Sequence, residues 1–246
     1  MTQSPIIRAG ASLDSITRRV SRVNQLPIFF EDWDSFYFNS AKWRYAIATT
    51  GTVNIAGGTA AVGKPSTMAI QTGTTSGALA QMYSRNLVFP IRHGHTAATT
   101  TIKRTWIEIV MSGIGLATSI DNTRAWFGIV AQANNFGTPH RQSNSIFGFG
   151  WASDVLQTFS DNAGTETTQA TTNVITWAAT LHKYGISLDA DNGLRFYVDD
   201  VLEATITTNI PNNIAEGTIS FEVLNDAAAN IGFDLGEIRV WEEDVV

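Results

Sequence analysis

The most constraining feature of the sequence is its period: from Ile28 onward, short runs of alternating apolar and polar residues recur between turn-forming residues. Side chains of a β-strand point alternately to its two faces, so this period predicts strands with one buried face. Asp189-Ala190-Asp191-Asn192-Gly193 separates two such runs, and Asp199-Asp200 separates the next pair as a two-residue turn. About a dozen short strands, with a turn signal roughly every 8–12 residues, predict an all-β sandwich or barrel.

The strands that this pattern predicts extend over the whole body of the chain. They are residues 43–47, 79–83, 85–91, 104–112, 125–132, 145–151, 155–160, 182–189, 193–198, 201–207, 217–224 and 231–241. Residues 161–173 are polar, rich in threonine and aperiodic, which indicates a long surface loop. The aromatic side chains of Trp106, Phe196 and Trp241 are expected on the inner faces, where each would bury a large apolar area.

Length and composition agree with a single β-sandwich domain: the chain has 246 residues, of which only 15% are charged. It contains no cysteine, which excludes disulfides and thiolate metal sites. No run of about 18 apolar residues is present, so we expect no membrane helix. The segment Met1–Pro5 lacks the basic and apolar regions of a secretory signal, and we expect a protein made in the cytoplasm.

The first 28 residues differ in charge from the rest of the chain. They hold four arginines and one aspartate, a net charge of +3, whereas residues 29–246 hold 12 basic and 21 acidic residues, a net charge of −9. Apolar residues recur here at helical spacing up to Val23, and Pro27 then breaks the pattern, which predicts a short amphipathic helix. We therefore divide the chain into a basic N-terminal arm, residues 1–28, and a sandwich domain, residues 29–246.

A helix this short is marginal alone and needs a surface to fold against. A basic arm on an acidic body suits contact with a neighbouring copy, and the alternative is a solvated tail. The residues expected to make the assembly contact are Arg8, Leu13, Ile16, Arg18, Arg19, Val20 and Arg22.

Strand and turn segments with aromatic, glycine and aspartate residues follow one another in a characteristic order between residues 29 and 242. They are Phe29-Phe30-Glu31-Asp32-Trp33-Asp34, Asn39-Ser40-Ala41-Lys42-Trp43, Gly51-Thr52-Val53, Gly58-Thr59-Ala60, Trp126-Phe127-Gly128-Ile129-Val130, Lys183-Tyr184-Gly185-Ile186-Ser187-Leu188-Asp189, Leu194-Arg195-Phe196-Tyr197-Val198-Asp199-Asp200 and Gly232-Phe233-Asp234-Leu235-Gly236-Glu237-Ile238-Arg239-Val240. Together they resemble the concanavalin A-like lectin/glucanase family, which includes laminin-G-like modules and bacteriophage virion accessory domains. The resemblance implies a two-sheet antiparallel jelly roll and no particular activity, because each motif is a requirement of a strand or turn.

The sequence offers little of the chemistry of an active site. The glucanase branch of that family resembles a retaining glycosidase, with the pattern Glu-x-Asp-x-x-Glu on one strand and carboxyl groups about 5 Å apart. The strand around Trp106 offers Glu108 alone, with Val110 and Ser112 at the following alternate positions. We therefore expect no catalytic residues and no enzyme activity.

Metal and nucleic-acid sites are also poorly represented. His93-x-His95 could place two imidazoles on one face of an extended segment, but Gly94 and the absence of a nearby carboxylate favour a surface loop. Asp189-x-Asp191-Asn192-Gly193 has some of the oxygen ligands of a calcium loop, and a plain hairpin turn is the preferred interpretation. We expect no metal and no cofactor, and the acidic body argues against nucleic acid as a partner.

Carbohydrate binding needs an exposed aromatic platform with polar neighbours. Trp151 and Trp177 lie beside polar segments rich in Asn and Gln and are the candidates for such a platform; the alternative for both is burial in the core.

These observations predict a non-enzymatic structural protein of a virion. It would be a capsid decoration or cement protein, or a tail-associated protein, of a tailed bacteriophage. It would form a homo-oligomer, a dimer or trimer, through its arm and would contact other capsid or tail subunits. The alternative is a lectin-like module that recognises a glycan of the host surface.

Overall fold

The computed structural model of the protein describes residues 29–31, 33, 40–48, 51–57, 66–85, 89–90, 102–114, 125–130, 145–152, 155–175, 180–189, 193–211, 216–225 and 230–245. The N-terminal arm lies outside these ranges. The described residues form strands and turns without a helix, and hence contain no helix that could span a membrane.

Sixteen strands are numbered along the chain. They are β1 (Phe29–Glu31), β2 (Trp43–Ala48), β3 (Thr52–Gly57), β4 (Ser66–Gln71), β5 (Leu79–Ser84), β6 (Phe89–Pro90), β7 (Ile102–Ile114), β8 (Ala125–Val130), β9 (Ile146–Ala152), β10 (Val155–Asn162), β11 (Thr165–Ala170), β12 (His182–Leu188), β13 (Leu194–Val198), β14 (Val201–Ile206), β15 (Glu216–Leu224) and β16 (Gly232–Val245). The predicted all-β class is confirmed.

The strands form two eight-stranded antiparallel sheets. The first sheet has the order β14-β13-β12-β7-β16-β4-β3, and β1 also pairs with β16. The second has the order β11-β10-β9-β8-β15-β5-β2, and β6 also pairs with β15. Neighbours far apart in sequence, such as β7 beside β16, close the sandwich, which is the predicted jelly-roll arrangement.

Alternate side chains of the central strands of both sheets meet in one aromatic core. Phe127 of β8 is at its centre, with ring centroids 5.3 Å from Phe149, 5.0 Å from Tyr184 and 5.9 Å from Phe233. Phe196 of β13 is fully buried there as predicted, 5.2 Å from Phe149. Rings 5–6 Å apart in stacked and edge-to-face arrangements are the geometry that aromatic pairs prefer.

The predicted two-residue turn at Asp199-Asp200 is confirmed, and both residues have positive φ, 50° and 70°. These angles fit a type I′ turn, whose twist matches that of the flanking strands. Local contacts hold the two carboxylates: the Lys183 backbone N–H donates to Asp199 at 2.9 Å, His182 Nδ1 lies 2.7 Å from Asp199 Oδ2, and Lys183 Nζ lies 2.6 Å from Asp200.

The segment 161–173, predicted to be a loop, is largely a hairpin. Asp161 and Asn162 end β10, and β11 returns over Thr165–Ala170. The turn between them uses positive φ at Ala163 and Gly164, and the Asp161 carboxylate accepts the Gly164 N–H at 2.7 Å. Because β11 is an edge strand whose side chains are almost all exposed, it shows no hydrophobic alternation and its sequence looks like a loop.

Trp106 and Trp241 are buried as predicted, 6% and 7% exposed, but the prediction that they lie on the inner face was wrong. Their neighbours Ile107 and Val240 belong to the core, and successive side chains of a strand point to opposite faces. Trp106 and Trp241 therefore lie on the outer face of the first sheet, where their strands pair residue for residue.

Candidate functional site

The outer face of the second sheet has a floor of glycines. Gly128 of β8 and Gly148 of β9 are opposite each other, and Gly150 is opposite Trp126. A Cβ atom on Gly128 would lie 2.6 Å from the Cα of Gly148 and would collide with the Phe147 carbonyl oxygen, so the two strands approach as closely as only glycine allows. Beside this floor, Trp126 packs edge-on against Phe159, with ring centroids 6.0 Å apart.

A buried polar pair lies next to Trp126 on the same face. Gln81 of β5 donates its amide N–H to Glu222 of β15 at 2.6 Å, and both side chains are fully buried. Tyr83 is one alternate position further along β5; burial raises the pKa of its phenol above the ordinary value, and the Arg44 guanidinium opposes that rise. A buried carboxylate that receives an amide hydrogen bond is a structural group, because the bond offsets its desolvation.

Of the carboxylates described on this face, Asp161 and Glu166 are opposite each other on β10 and β11, and Glu222 is too far from both to act with either in glycoside hydrolysis. Asp161 is on β10 and Glu222 is on β15, three strand spacings away, which is about 14 Å. The register also offsets them by four residues along the strands, about 13 Å more. Retaining glycosidases need roughly 5 Å between the two groups and inverting ones at most about 9.5 Å. Among the described side chains, this pair cannot act together on one glycosidic bond.

The outer face of the first sheet carries three aromatic side chains that we call the aromatic cluster: Trp106 of β7, Tyr197 of β13 and Trp241 of β16. The Trp106 and Trp241 rings are stacked, with centroids 5.9 Å apart and planes at 8°. Tyr197 lies 5.2 Å from Trp106. Both tryptophans are largely covered, 6% and 7% exposed, and Tyr197 is half-buried. Of the three rings on this outer face, only Tyr197 is partly exposed.

Two arginines flank this cluster and share one buried carboxylate. Asp189 Oδ1 lies 2.6 Å from Arg104 Nε, and Asp189 also pairs with Arg195. Ser187 donates its hydroxyl to Asp189 at 3.2 Å. The Arg104 guanidinium carbon is 5.8 Å from the Trp106 ring centroid, within the range of a cation–π contact. Asp189, considered from sequence as a calcium ligand, is thus occupied by guanidinium groups.

Of the two residues chosen from sequence as glycan platforms, the structure describes Trp151, which does not lie on the surface. Trp151 is 2% exposed and packs in the core, 5.9 Å from Phe127, so it offers no exposed ring for a sugar to stack on. Trp151 occupies the same set of alternate positions on β9 as Phe147 and Phe149, whose side chains point into the core. Trp177 lies outside the described residues, as do the assembly residues of the arm and the pair His93 and His95. Within the described part of the chain, no three His, Asp or Glu side chains form a metal-binding group.

Sequence reasoning missed the aromatic cluster, although parity on the strands contained a signal for it. Trp106 shares its parity with Arg104 and Glu108, and Trp241 shares its parity with Arg239. Charged residues at alternate positions mark the solvent side of a strand, and the tryptophans belong to that side.

Comparison with known proteins confirms the fold. No protein-family model and no curated protein matches the sequence. Solved structures do match: a carbohydrate esterase from the Shiga toxin-encoding bacteriophage phi24B has a TM-score of 0.54 at 10% identity, over 89% of this chain and 99% of that one. The carbohydrate recognition domain of Emp47p has a TM-score of 0.52 at 9% identity, over 88% and 96%. A Bacillus licheniformis β-glucanase has a TM-score of 0.52 at 14% identity, over 86% and 96%. The chain thus has the concanavalin A-like jelly-roll fold that lectins and glucanases share.

Proposed function

We propose that this chain is a non-enzymatic structural protein of a bacteriophage particle, a capsid decoration or tail-associated protein that assembles through its N-terminal arm. The observation that most favours a non-catalytic role is that the buried carboxylate of Glu222 lies at least about 14 Å across the strands, and more along them, from Asp161 and Glu166. The polar groups nearby are occupied with one another, as in the pair of Gln81 and Glu222. A particle-associated role is supported by the bacteriophage protein that shares the fold over nearly all of both chains.

Assembly through the arm is supported by charge. The arm carries +3 and the sandwich carries −9, so the arm of one copy and the body of the next attract each other. Closed symmetric homo-oligomers are the commonest arrangement for such a contact, and a dimer or a trimer fits the proposal.

The test is the molar mass in solution, measured by size-exclusion chromatography with light scattering. The full chain should form a defined oligomer, and the chain starting at Ile28 should be a folded monomer with an unchanged far-UV circular dichroism spectrum. Ile16→Glu with Val20→Glu should dissociate the full-length oligomer, whereas Ser15→Glu, off the apolar stripe, should dissociate it much less. If the truncated and full chains have the same mass per particle, assembly through the arm is wrong.

A second candidate function is recognition of a host-surface glycan, favoured by the match to a carbohydrate recognition domain over 88% of this chain. With Trp151 buried, Trp177 is the remaining sequence-derived candidate for the stacking residue. On a glycan array, this function predicts binding that survives deletion of residues 1–27 and is lost in Trp177→Ala. Assembly through the arm predicts instead that the deletion lowers the molar mass and leaves the fold intact.

A further inference from the structure

Exposed apolar side chains meet at the corner of the sandwich where the edge strands β11 and β14 run side by side. Val174, which follows β11, is 76% exposed; on β14, Val201 is 51% and Leu202 46% exposed. We call these three side chains the corner patch. Single exposed apolar residues are ordinary on a protein surface, whereas neighbouring ones indicate a contact site.

The two valines of the corner patch are neighbours because β11 and β14 continue past each other in antiparallel directions. Thr172 donates its backbone N–H to the Glu203 carbonyl oxygen at 3.1 Å, and the hydroxyls of Thr167 and Thr208 lie 3.0 Å apart. Both contacts have the same register, since the partners are five positions apart in each chain. Two positions beyond Thr172 and two before Glu203, this register places one valine beside the other.

The size of the corner patch suits a short helix better than a second sandwich body. A stable interface between two proteins has roughly 20–30 residues on each side, and three side chains are far fewer. A short amphipathic helix needs only such a patch, because two turns of it present about three or four apolar residues on one face. The corner patch therefore fits the apolar stripe of the predicted arm helix.

Charge distinguishes the corner patch from the exposed apolar pair Tyr45 and Ile47 on β2. The exposed Arg44 directly precedes Tyr45, so a basic segment is repelled there. The corner patch instead follows the turn carboxylates of Asp199 and Asp200. These side chains pair with basic groups of β12, yet they remain 54% and 42% exposed. A basic segment is therefore attracted to the corner.

We infer that the arm of a neighbouring copy docks on the corner patch through the apolar stripe of its helix, Leu13, Ile16, Val20 and Val23. This inference rests on the proposed function, in which the arm is an assembly element. Arg19 lies three residues after Ile16 and four before Val23, so it borders the stripe on a helix. Its guanidinium can then meet the carboxylates of the turn, while Arg18 lies on the opposite side of the helix.

The distance across the first sheet favours the arm of another copy over the chain's own arm. Phe29 on β1 is separated from β14 by five strand spacings, roughly 24 Å. The register places Val201 level with Glu31, whereas the residues before Phe29 continue in the other direction along the strands. The segment from Val23 to Phe29 spans at most about 22 Å, so the Val23 end of the chain's own stripe does not reach the corner patch.

Engineered cysteines test this docking without background, because the chain has none of its own. Full-length chains with Val20→Cys and full-length chains with Leu202→Cys are distinguished by tags of different mass, co-expressed and treated with a short bismaleimide. The matched control replaces Leu202→Cys with Ile47→Cys, a similarly exposed position on β2. We expect the covalent dimer of the two chains to form at least tenfold faster with Leu202→Cys. Arg19→Glu should remove most of that advantage, and Arg18→Glu should leave it.

Substitution of the corner patch tests the same contact through the molar mass. Val174→Lys with Val201→Lys removes apolar surface and repels the arm, and lysine is well tolerated on edge strands. The full chain with both changes should have the molar mass of the chain starting at Ile28, with an unchanged far-UV circular dichroism spectrum. The matched change Ile47→Lys should leave the oligomer intact.

The outcomes separate this docking from assembly through the arm in general. Equal cross-linking of Leu202→Cys and Ile47→Cys overturns the docking, as does an oligomer that survives both lysines. Assembly through the arm still stands in either case if removal of residues 1–27 lowers the molar mass, and it fails as well if that removal has no effect. A cross-link that forms only within one chain carrying both cysteines contradicts docking on a neighbouring copy.

Discussion

Replacing Gly128 with alanine should destabilise the protein far more than the same change at Gly185, although both residues lie in central strands. At Gly128 a Cβ would lie 2.6 Å from the Cα of Gly148 and would collide with a carbonyl oxygen, both backbone atoms that cannot rotate away. At Gly185 the nearest atom would be the Cβ of Tyr197 at 3.4 Å, an ordinary contact. The two variants therefore make the same chemical change, but only position 185 has room for the added methyl group.

The expected magnitudes follow from two opposing effects. Either alanine restricts the unfolded chain and stabilises the fold by about 0.4–1 kcal/mol. Overpacking at Gly128 costs roughly 3 kcal/mol, because the β8–β9 pair must separate. The net loss is about 2 kcal/mol, or a fall in Tm of roughly 4–8 °C for a domain of this size. Gly185→Ala should be neutral or more stable by up to about 1 kcal/mol.

Urea unfolding followed by tryptophan fluorescence measures both variants, since the chain has seven tryptophans. Equal midpoints for Gly128→Ala and Gly185→Ala would refute the reasoning that close strand approach, rather than backbone freedom, requires glycine at position 128. A lower midpoint for Gly185→Ala alone would refute it as well.

Three further changes test the ion pairs, the turn and the core. Asp189→Asn should lower the free energy of unfolding in urea by about 2–3 kcal/mol, because it leaves two guanidinium groups without their shared carboxylate. Asp199→Asn removes the carboxylate of an exposed pair and should cost less than about 1 kcal/mol. Equal losses in the two variants would contradict this expectation. Asp200→Gly removes positive-φ strain of roughly 1 kcal/mol and also removes an exposed ion pair worth about 0.2–1 kcal/mol. The Tm in thermal unfolding should therefore stay the same or rise slightly. A clear fall in Tm would mean that the ion pair contributes more than the strain costs. Burial, with a smaller effect of the Asp199 carboxylate, raises the pKa of Tyr184 well above its ordinary value near 10. Above about pH 10 the unfolded chain loses this proton and the folded chain keeps it, so the free energy of unfolding should fall by up to about 1.4 kcal/mol per pH unit. In Tyr184→Phe the fall with pH should be less steep. Identical slopes of the two proteins in urea unfolding would exclude Tyr184 as the cause.

The candidate surface could be predicted from the sequence only in part. The sequence predicts Trp106 and Trp241 as aromatic anchors of the inner face, whereas they lie on the outer face, and Trp151, a candidate for the surface with burial as its alternative, lies in the core. A tryptophan is apolar enough for a core and polar enough for a binding face, so its own chemistry does not choose between the two. For Trp106 the charged residues at alternate positions of the same strand indicate the face, because Arg104 and Glu108 share its side of β7 and cannot both point into an apolar core.

The local elements of this protein follow from short-range patterns in its sequence. The period of two predicts the strands, and short polar side chains that tolerate positive φ predict the hairpin at Asp199-Asp200, because both signals arise within a few neighbouring residues. Tertiary structure alone decided which strands are neighbours and which face of each is covered. The pairing of β7 with β16 brings Trp106 against Trp241 from opposite parts of the chain, and β11 is a strand only because β10 offers it a hydrogen-bonding edge. Such pairings depend on contacts between distant residues, and no local pattern records them.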